Sequence, residues 1–319
     1  MASSRKELVR SKKLKRFDCV TDFSDHYYYL RSESKQKKKC IDYDKTTVKR
    51  ITREWGILQN NLPESIFVRV YEGRIDLLRA AIIGARNTPY HNGIFVFDLK
   101  FPHDYPRYPP KVTYRSFGFR LNPNLYESGY VCLSLLNTWD GKETERWSPK
   151  ISTVLQVLLS LQGLVLNEKP YFNEPGIKPA WSWQSYNADV FVLSCKTMLC
   201  LLRRPAKNFE SFIAWHFRVN GRVILRACVD YVEGRARVGF FNGDVEGDHV
   251  PVCSTKKIKV SKKFSDAIVE LYPQLYKAFN GVGALLTDLP EKIIVPETER
   301  PASSGILGKL KTFWKTITA

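Results

Sequence analysis

Cys132 lies eight residues after Asn124, in the stretch Asn122-Pro123-Asn124 to Gly129-Tyr130-Val131-Cys132, with Leu133-Ser134-Leu135-Leu136 behind it. Asn-Pro-Asn is a turn signal, because Asn tolerates unusual backbone geometry and Pro fixes φ. A turn that parks a carboxamide beside one cysteine suits acyl transfer through a thioester. The thiolate is the nucleophile, and a fixed amide donor stabilises the oxyanion that develops at the carbonyl. On its own the pattern equally describes a buried structural thiol in an apolar run. The flanking sequence has to decide between the two.

At 319 residues the chain is long enough for one sizeable core and a second, smaller one. It has no apolar run of transmembrane length. The basic start, Met1 to Lys6, is followed by no apolar segment of the kind a secretory signal requires. The seven cysteines (19, 40, 132, 195, 200, 228 and 253) form no C-x-x-C pair. Reduced thiols in cytosol or nucleus, rather than a secreted disulfide framework, are therefore expected. The five histidines (26, 91, 103, 216, 249) are scattered, so no metal site is expected. The net charge is +18, and residues 1–50 hold 15 Lys/Arg against 7 Asp/Glu. Such an arm calls for an acidic partner: a protein face, nucleic acid or a phospholipid surface.

Several elements can position the cysteine. Val48, Ile51, Trp55 and Leu58 recur at helical spacing, with Thr46 or Thr47 as cap. Ile66–Tyr71 and Leu77–Ile83, split by Glu72-Gly73-Arg74, read as a hairpin. Gly93–Phe101 and Lys111–Tyr114 add two strands around a proline-dense turn, Pro102 to Pro110. One helix followed by four strands is an α+β meander, not an alternating βαβ pattern. Asn137 to Arg146 is a polar insertion behind the cysteine. Ser148-Pro149 opens a largely apolar helix to about Leu166, with Ser148 as N-cap. Helical blocks follow from Asn187, as cap, to Leu202, over Asn208–Phe217 and over Ser261–Asn280; Arg222–Cys228 fits helix or strand. Ile306, Leu310, Phe313, Trp314 and Ile317 share one face of a terminal helix, which suits packing, a partner or a membrane interface.

The middle of the chain resembles the ubiquitin-conjugating enzymes. Pro89-Tyr90-His91-Asn92-Gly93-Ile94-Phe95 matches the family's Pro-Tyr-x-x-Gly-x-Phe. Phe101-Pro102-His103-Asp104-Tyr105-Pro106-Arg107-Tyr108-Pro109-Pro110-Lys111 matches its Tyr-Pro turn. Asn122-Pro123-Asn124, Gly129-Tyr130-Val131-Cys132-Leu133 and Trp147-Ser148-Pro149 follow in order. The long loop after the cysteine and Asn167-Glu168-Lys169-Pro170-Tyr171-Phe172-Asn173-Glu174 are similar to the large hybrid conjugating enzymes that combine conjugating and ligase activity, among them the plant phosphate-homeostasis group. Phe17-Asp18, Phe23-Ser24-Asp25-His26 and the Asn187–Phe217 block are similar to that plant group too.

The resemblance implies a UBC fold: an N-terminal helix, a four-stranded antiparallel meander, an active-site loop, a central helix and C-terminal helices. It divides the chain into a basic N-terminal arm (1–43), a catalytic domain with a helical extension (44–217) and a partly helical C-terminal extension (218–319) with a mobile loop near 242–256. It makes Cys132 the carrier of a glycyl thioester and Asn124 the turn and oxyanion residue. Its partners would be ubiquitin, the activating enzyme, substrate proteins with acceptor lysines and a ligase. The chain itself would bind no cofactor, ATP being used upstream by the activating enzyme. Three positions depart from the pattern: Asn122 replaces the usual histidine, Lys169 stands where an acid commonly prepares the lysine, and Arg107 replaces the apolar ligase-docking residue. Glu168 and Glu174 are substitutes for the acid, and atypical ligase docking is expected from Arg107. The competing readings are an inactive conjugase-like scaffold, a thiol hydrolase using His91 or His103, a carrier of another ubiquitin-like modifier, and a basic nucleic-acid-binding module.

Overall fold

The computed structural model describes residues 14–31, 43–174, 176, 183–240 and 257–293. The expected loop near 242–256 and the helix over 305–317 lie outside them, as do residues 1–13 and 32–42 of the arm. The sheet has five strands rather than four. β1 (Phe17–Val20) runs parallel to β2 (Ile66–Tyr71), and β3 (Arg74–Ile83), β4 (Ile94–Lys100) and β5 (Lys111–Tyr114) continue antiparallel in chain order. The added strand comes from the basic arm. Phe17 pairs with Val68, and the Val68 N–H donates to the Arg16 carbonyl at 2.6 Å. A one-turn helix, α1 (Tyr27–Leu30), then packs against β4.

Successive strand residues face opposite sides of a sheet, and here both sides are buried. Ile66, Val68 and Val70 join Leu78, Ala80 and Ile82 in one core with α2 (Lys45–Asn61) and α3 (Val154–Ser160). Phe67, Ala81, Ile94 and Val96 face the other way, into α4 (Trp183–Arg203), α5 (Glu210–Val232) and α6 (Lys262–Gly281). Phe67 and Phe212 rings sit 4.1 Å apart there. Of the charges caught in this sandwich, Arg69 is held by the main-chain carbonyls of Lys15, Val68 and Asn208, and Arg79 by carboxylates. Arg79, opposite Asp98 in the ladder, gives Asp98 two hydrogen bonds of 2.6 and 2.9 Å and also reaches Asp25.

Several helix ends differ from expectation. Asp44, not Thr46 or Thr47, caps α2, accepting from the Thr47 N–H at 2.6 Å. The central helix starts at Val154, not at Pro149. Thr153 and Gln156 form a reciprocal capping box, whereas the Ser148 N–H is taken by Ser152 Oγ at 2.9 Å. Ile151, which the expected helix would have contained, lies before it and is 74% exposed. Asn187 caps nothing; it is buried inside α4 and donates to the Glu168 carbonyl at 2.8 Å. Arg222–Cys228 is helical, part of a single α5 that runs unbroken through the expected boundary at 217/218.

Glu54 bolts these layers to the turn that precedes β5. Fully buried on α2, it accepts from the Tyr105 hydroxyl at 2.8 Å and from the Val154 N–H, the first of α3, at 2.9 Å. A carboxylate at a helix N-terminus is favourably placed. Trp147 Nε1 donates to the Pro106 carbonyl at 2.7 Å, tying the same turn to the segment behind the cysteine.

Burial holds His91 and His216 down to about 4, and it also lowers His26. An unfolded histidine titrates near 6.5. Between those values the unfolded chain takes up protons that the folded chain refuses. Stability should therefore fall as pH falls through this window, by about 1.4 kcal/mol per unit for each such histidine. Urea midpoints at about pH 7 and about pH 5 check this, the lower pH giving the lower midpoint.

Candidate active site

The turn before Cys132 is built from its own amides. Asn122 Oδ1 accepts the Asn124 N–H at 2.8 Å, the Asx-type bond that favours asparagine in such turns. Asn122 Nδ2 donates outward, to the Tyr90 hydroxyl at 2.9 Å and the Val165 carbonyl at 3.0 Å. Asparagine therefore braces the turn where the resemblance led one to look for histidine. Cys132 is held from both sides by one residue. Its N–H donates to the Asn124 carbonyl at 2.9 Å, and its carbonyl accepts from Asn124 Nδ2 at 3.1 Å. Asn124 is buried, and its Oδ1 has no partner.

Two further staples fix the segment. Gly129 has φ +89°, and a Cβ there would meet the Tyr114 carbonyl oxygen at 2.6 Å. Only glycine allows the Tyr114 N–H to reach the Gly129 carbonyl, at 2.8 Å. Behind the cysteine, Thr138 Oγ1 donates to the Val131 carbonyl at 2.8 Å and accepts from the Leu133 N–H at 3.0 Å. The backbone on both sides of Cys132 is thus pinned to the first residues of the insertion.

Cys132 is 4% exposed. Burial raises its thiol pKa; the neighbouring Tyr126 hydroxyl opposes this, Glu174 adds to it, and Arg120 opposes it. The Arg120 guanidinium lies 4.5 Å from the Tyr126 ring centre, over its face. A hydroxyl and a cation thus favour the thiolate, and one carboxylate opposes it. Beside the thiol, Asn124 places the carboxamide that acyl transfer through a thioester calls for.

The model of the ubiquitin-conjugating enzyme family matches residues 50–195. Ubiquitin-conjugating enzyme E2 38 of Arabidopsis thaliana is 46% identical over 280 residues, which span 85% of this chain and 84% of the relative. The chain belongs to the ubiquitin-conjugating enzyme family. Among its relatives, E2 25 of the same plant is 45% identical over 300 residues, which span 91% of this chain but 48% of the relative. The dual E2 ubiquitin-conjugating enzyme/E3 ubiquitin-protein ligase BIRC6 of Homo sapiens is 38% identical over 226 residues, 66% of this chain and 5% of its own. The chain therefore spans most of some relatives and half or less of others.

Within this conjugating enzyme the departures from the family pattern resolve unequally. Lys169 sits 3.4 Å from Glu168 Oε1 and 5.2 Å from the Trp183 ring centre, so these two neighbours engage each other. Glu174 is the carboxylate whose field reaches both the Cys132 sulfur and Tyr126. Asp140 and Glu145 serve the insertion itself: Asp140 pairs with Arg146 at 3.7 Å, and Glu145 accepts the Lys142 N–H at 3.2 Å. Arg107 is exposed beside Tyr108. His91 Nε2 bonds to the Tyr231 hydroxyl at 2.9 Å, and His103 Nδ1 lies 3.1 Å from Asp104, so each is engaged away from the thiol. Tyr126, Arg120 and Thr138 were not legible as site residues. The one available signal was Tyr126, facing Tyr130 across the turn that closes on Gly129.

Replacing Tyr126 with Phe removes the hydroxyl that favours the thiolate. The pH midpoint for alkylation of Cys132 by iodoacetamide should move upward, with Cys132→Ala as the blank. An unmoved midpoint would mean that the hydroxyl does not act on the thiol.

Proposed function

We propose that Cys132 accepts the C-terminal glycine of ubiquitin from an activating enzyme and passes it to lysine amines of protein substrates. The observation that carries this reading is the double hold of Asn124 on the Cys132 backbone, within a family that works through a cysteine thioester. In the first step the thiolate attacks the incoming thioester carbonyl, and the activating enzyme's thiolate leaves. In the second, a neutral lysine amine attacks, its proton is lost, and the Cys132 thiolate departs. ATP is spent upstream, and this chain needs no cofactor of its own.

Three residues supply the local chemistry. One N–H of the Asn124 amide is used on the Cys132 carbonyl; the second is the donor we assign to the oxyanion. Tyr126 stabilises the sulfur as it leaves, since a better-solvated thiolate is a better leaving group. Glu174 takes the place of the acid missing at Lys169, favouring approach and deprotonation of a lysine whose ordinary pKa is about 10.4. The relative named as both E2 and E3 supports built-in ligase activity, with Arg107 directing any separate ligase to an atypical contact. Among the described residues no helix is long and apolar enough to cross a membrane. We place the enzyme in cytosol or nucleus, its basic arm meeting an acidic partner and its terminal segment over 305–317 meeting a protein or a membrane surface.

Charging with activating enzyme, ubiquitin and ATP should give an adduct that thiol reductant removes and that Cys132→Ala abolishes. Asn124→Ala should still charge but discharge to lysine about 100-fold more slowly. With no ligase added, the wild type should build ubiquitin on its own lysines. An adduct that persists in Cys132→Ala would overturn the assignment of the cysteine.

A further inference from the structure

A cleft of about 660 Å³ opens beside the cysteine, within the size range of ligand sites. One wall is Val131, immediately before Cys132, with Leu136 and Thr138 just after it; the opposite wall is Tyr27 and Tyr28 of α1. Between them lie the start of β5 and the Tyr108-Pro109-Pro110 end of the preceding turn. We propose that this cleft docks the substrate peptide next to its acceptor lysine. It takes an extended segment that carries an apolar or aromatic side chain and a neighbouring acidic one. The inference rests on the proposed acyl transfer at Cys132 and names the substrate chemistry of that site.

Three observations carry it. The cleft lies against the segment that carries Cys132, because Val131, its neighbour in the chain, lines it. It also runs along the edge of the sheet. β5 is the last strand, and the bonds recorded on its outer side are at Thr113 and Tyr114, to Tyr130 and Gly129. An extended chain laid beside Lys111 and Val112 would meet a strand edge, a common way to hold a peptide without reading all of its side chains. The walls then read the side chains. Tyr108 and Tyr130 are each half exposed and offer aromatic faces. Lys111 is the one ionised side chain in the lining; it is exposed, and no carboxylate among the described residues pairs with it. A lone cation in an aromatic cleft selects an acid beside an apolar group.

The far wall is a feature of this chain beyond the domain matched by the family model, which begins at residue 50. Tyr27 and Tyr28 are held rigidly. The Tyr27 N–H donates to Asp98 Oδ2 at 2.8 Å, and Thr113 Oγ1 donates to the Tyr28 hydroxyl at 2.8 Å. Upstream, Asp25 is gripped by Arg79, by Arg115 at 3.0 Å and by the Lys207 N–H at 3.2 Å. The network that pairs Arg79 within the sheet therefore also anchors Tyr27 of the cleft through Asp98.

The test uses full-length protein charged with ubiquitin and follows discharge to three nucleophiles. Two are peptides with one lysine and one phenylalanine, differing only in flanking Glu or Arg residues. The third is free lysine, which needs no groove. The wild type should discharge to the Glu peptide about fivefold faster than to the Arg peptide, the worth of one exposed ion pair. Lys111→Glu, a surface change, should reverse that order. Tyr28→Ser should lower both peptide rates relative to free lysine. Equal ratios in all three proteins would overturn the groove while leaving the thioester reading intact. Failure to form any thioester would overturn both. Loss of ligase-dependent transfer alone, with peptide ratios unchanged, would assign the cleft to a ligase and overturn the peptide.

Discussion

The site depends on one residue gripping another through two different groups. Asn124 accepts from the Cys132 N–H with its main chain and donates to the Cys132 carbonyl with its side chain, at 2.9 and 3.1 Å. Both are buried, so neither bond is shared with water and neither partner is free to drift. The grip works only because Asn122 fixes the turn beneath it, from the Tyr90 hydroxyl on one side to the Val165 carbonyl on the other, in the π-helical turn Leu161–Val165 that continues the central helix. Tyr90 belongs to the Pro-Tyr motif, and Val165 to the helix behind Trp147-Ser148-Pro149. The dispersed motifs of the sequence thus converge on the geometry of a single thiol.

The platform underneath is unusually enclosed for a sheet whose strands β2 to β5 are antiparallel. With helices on both faces, its strands read as continuous apolar runs rather than as alternation. A charge inside such a layer has to be paired, and removing one partner of a buried pair costs about 3–5 kcal/mol. Arg79 and Asp98 meet that demand, and Asp25 draws residues 22–30 into the same network. Packing, electrostatics and the shape of the cleft beside the cysteine are therefore one system.

Much of this was readable in the residues, and the gaps have physical causes. The hairpin, the proline-dense turn and the α+β class follow from turn chemistry and strand composition, which are local. The fifth strand was not visible, because Phe17–Val20 is too short for a periodic signal and gains its pairing only from β2. The start of the central helix was misplaced because Ser148-Pro149 and Thr153–Gln156 are both good beginnings. The choice between them is made by Glu54, which receives the Val154 N–H from a hundred residues away. Cys132 and Asn124 stood out through spacing. Tyr126, Arg120 and Glu174 act on the sulfur across the folded turn, and no spacing rule connects them.

The central claim is that the group gripped by Asn124 is the one that carries the acyl chain. Cys132→Ser keeps the backbone and replaces sulfur with oxygen. Charged in the same way, it should accumulate an ester that resists thiol reductant and yields to mild base, and tandem mass spectrometry should map the ubiquitin glycine to residue 132. Ubiquitin found on another cysteine of that protein, in a thioester that thiol still removes, would contradict the account.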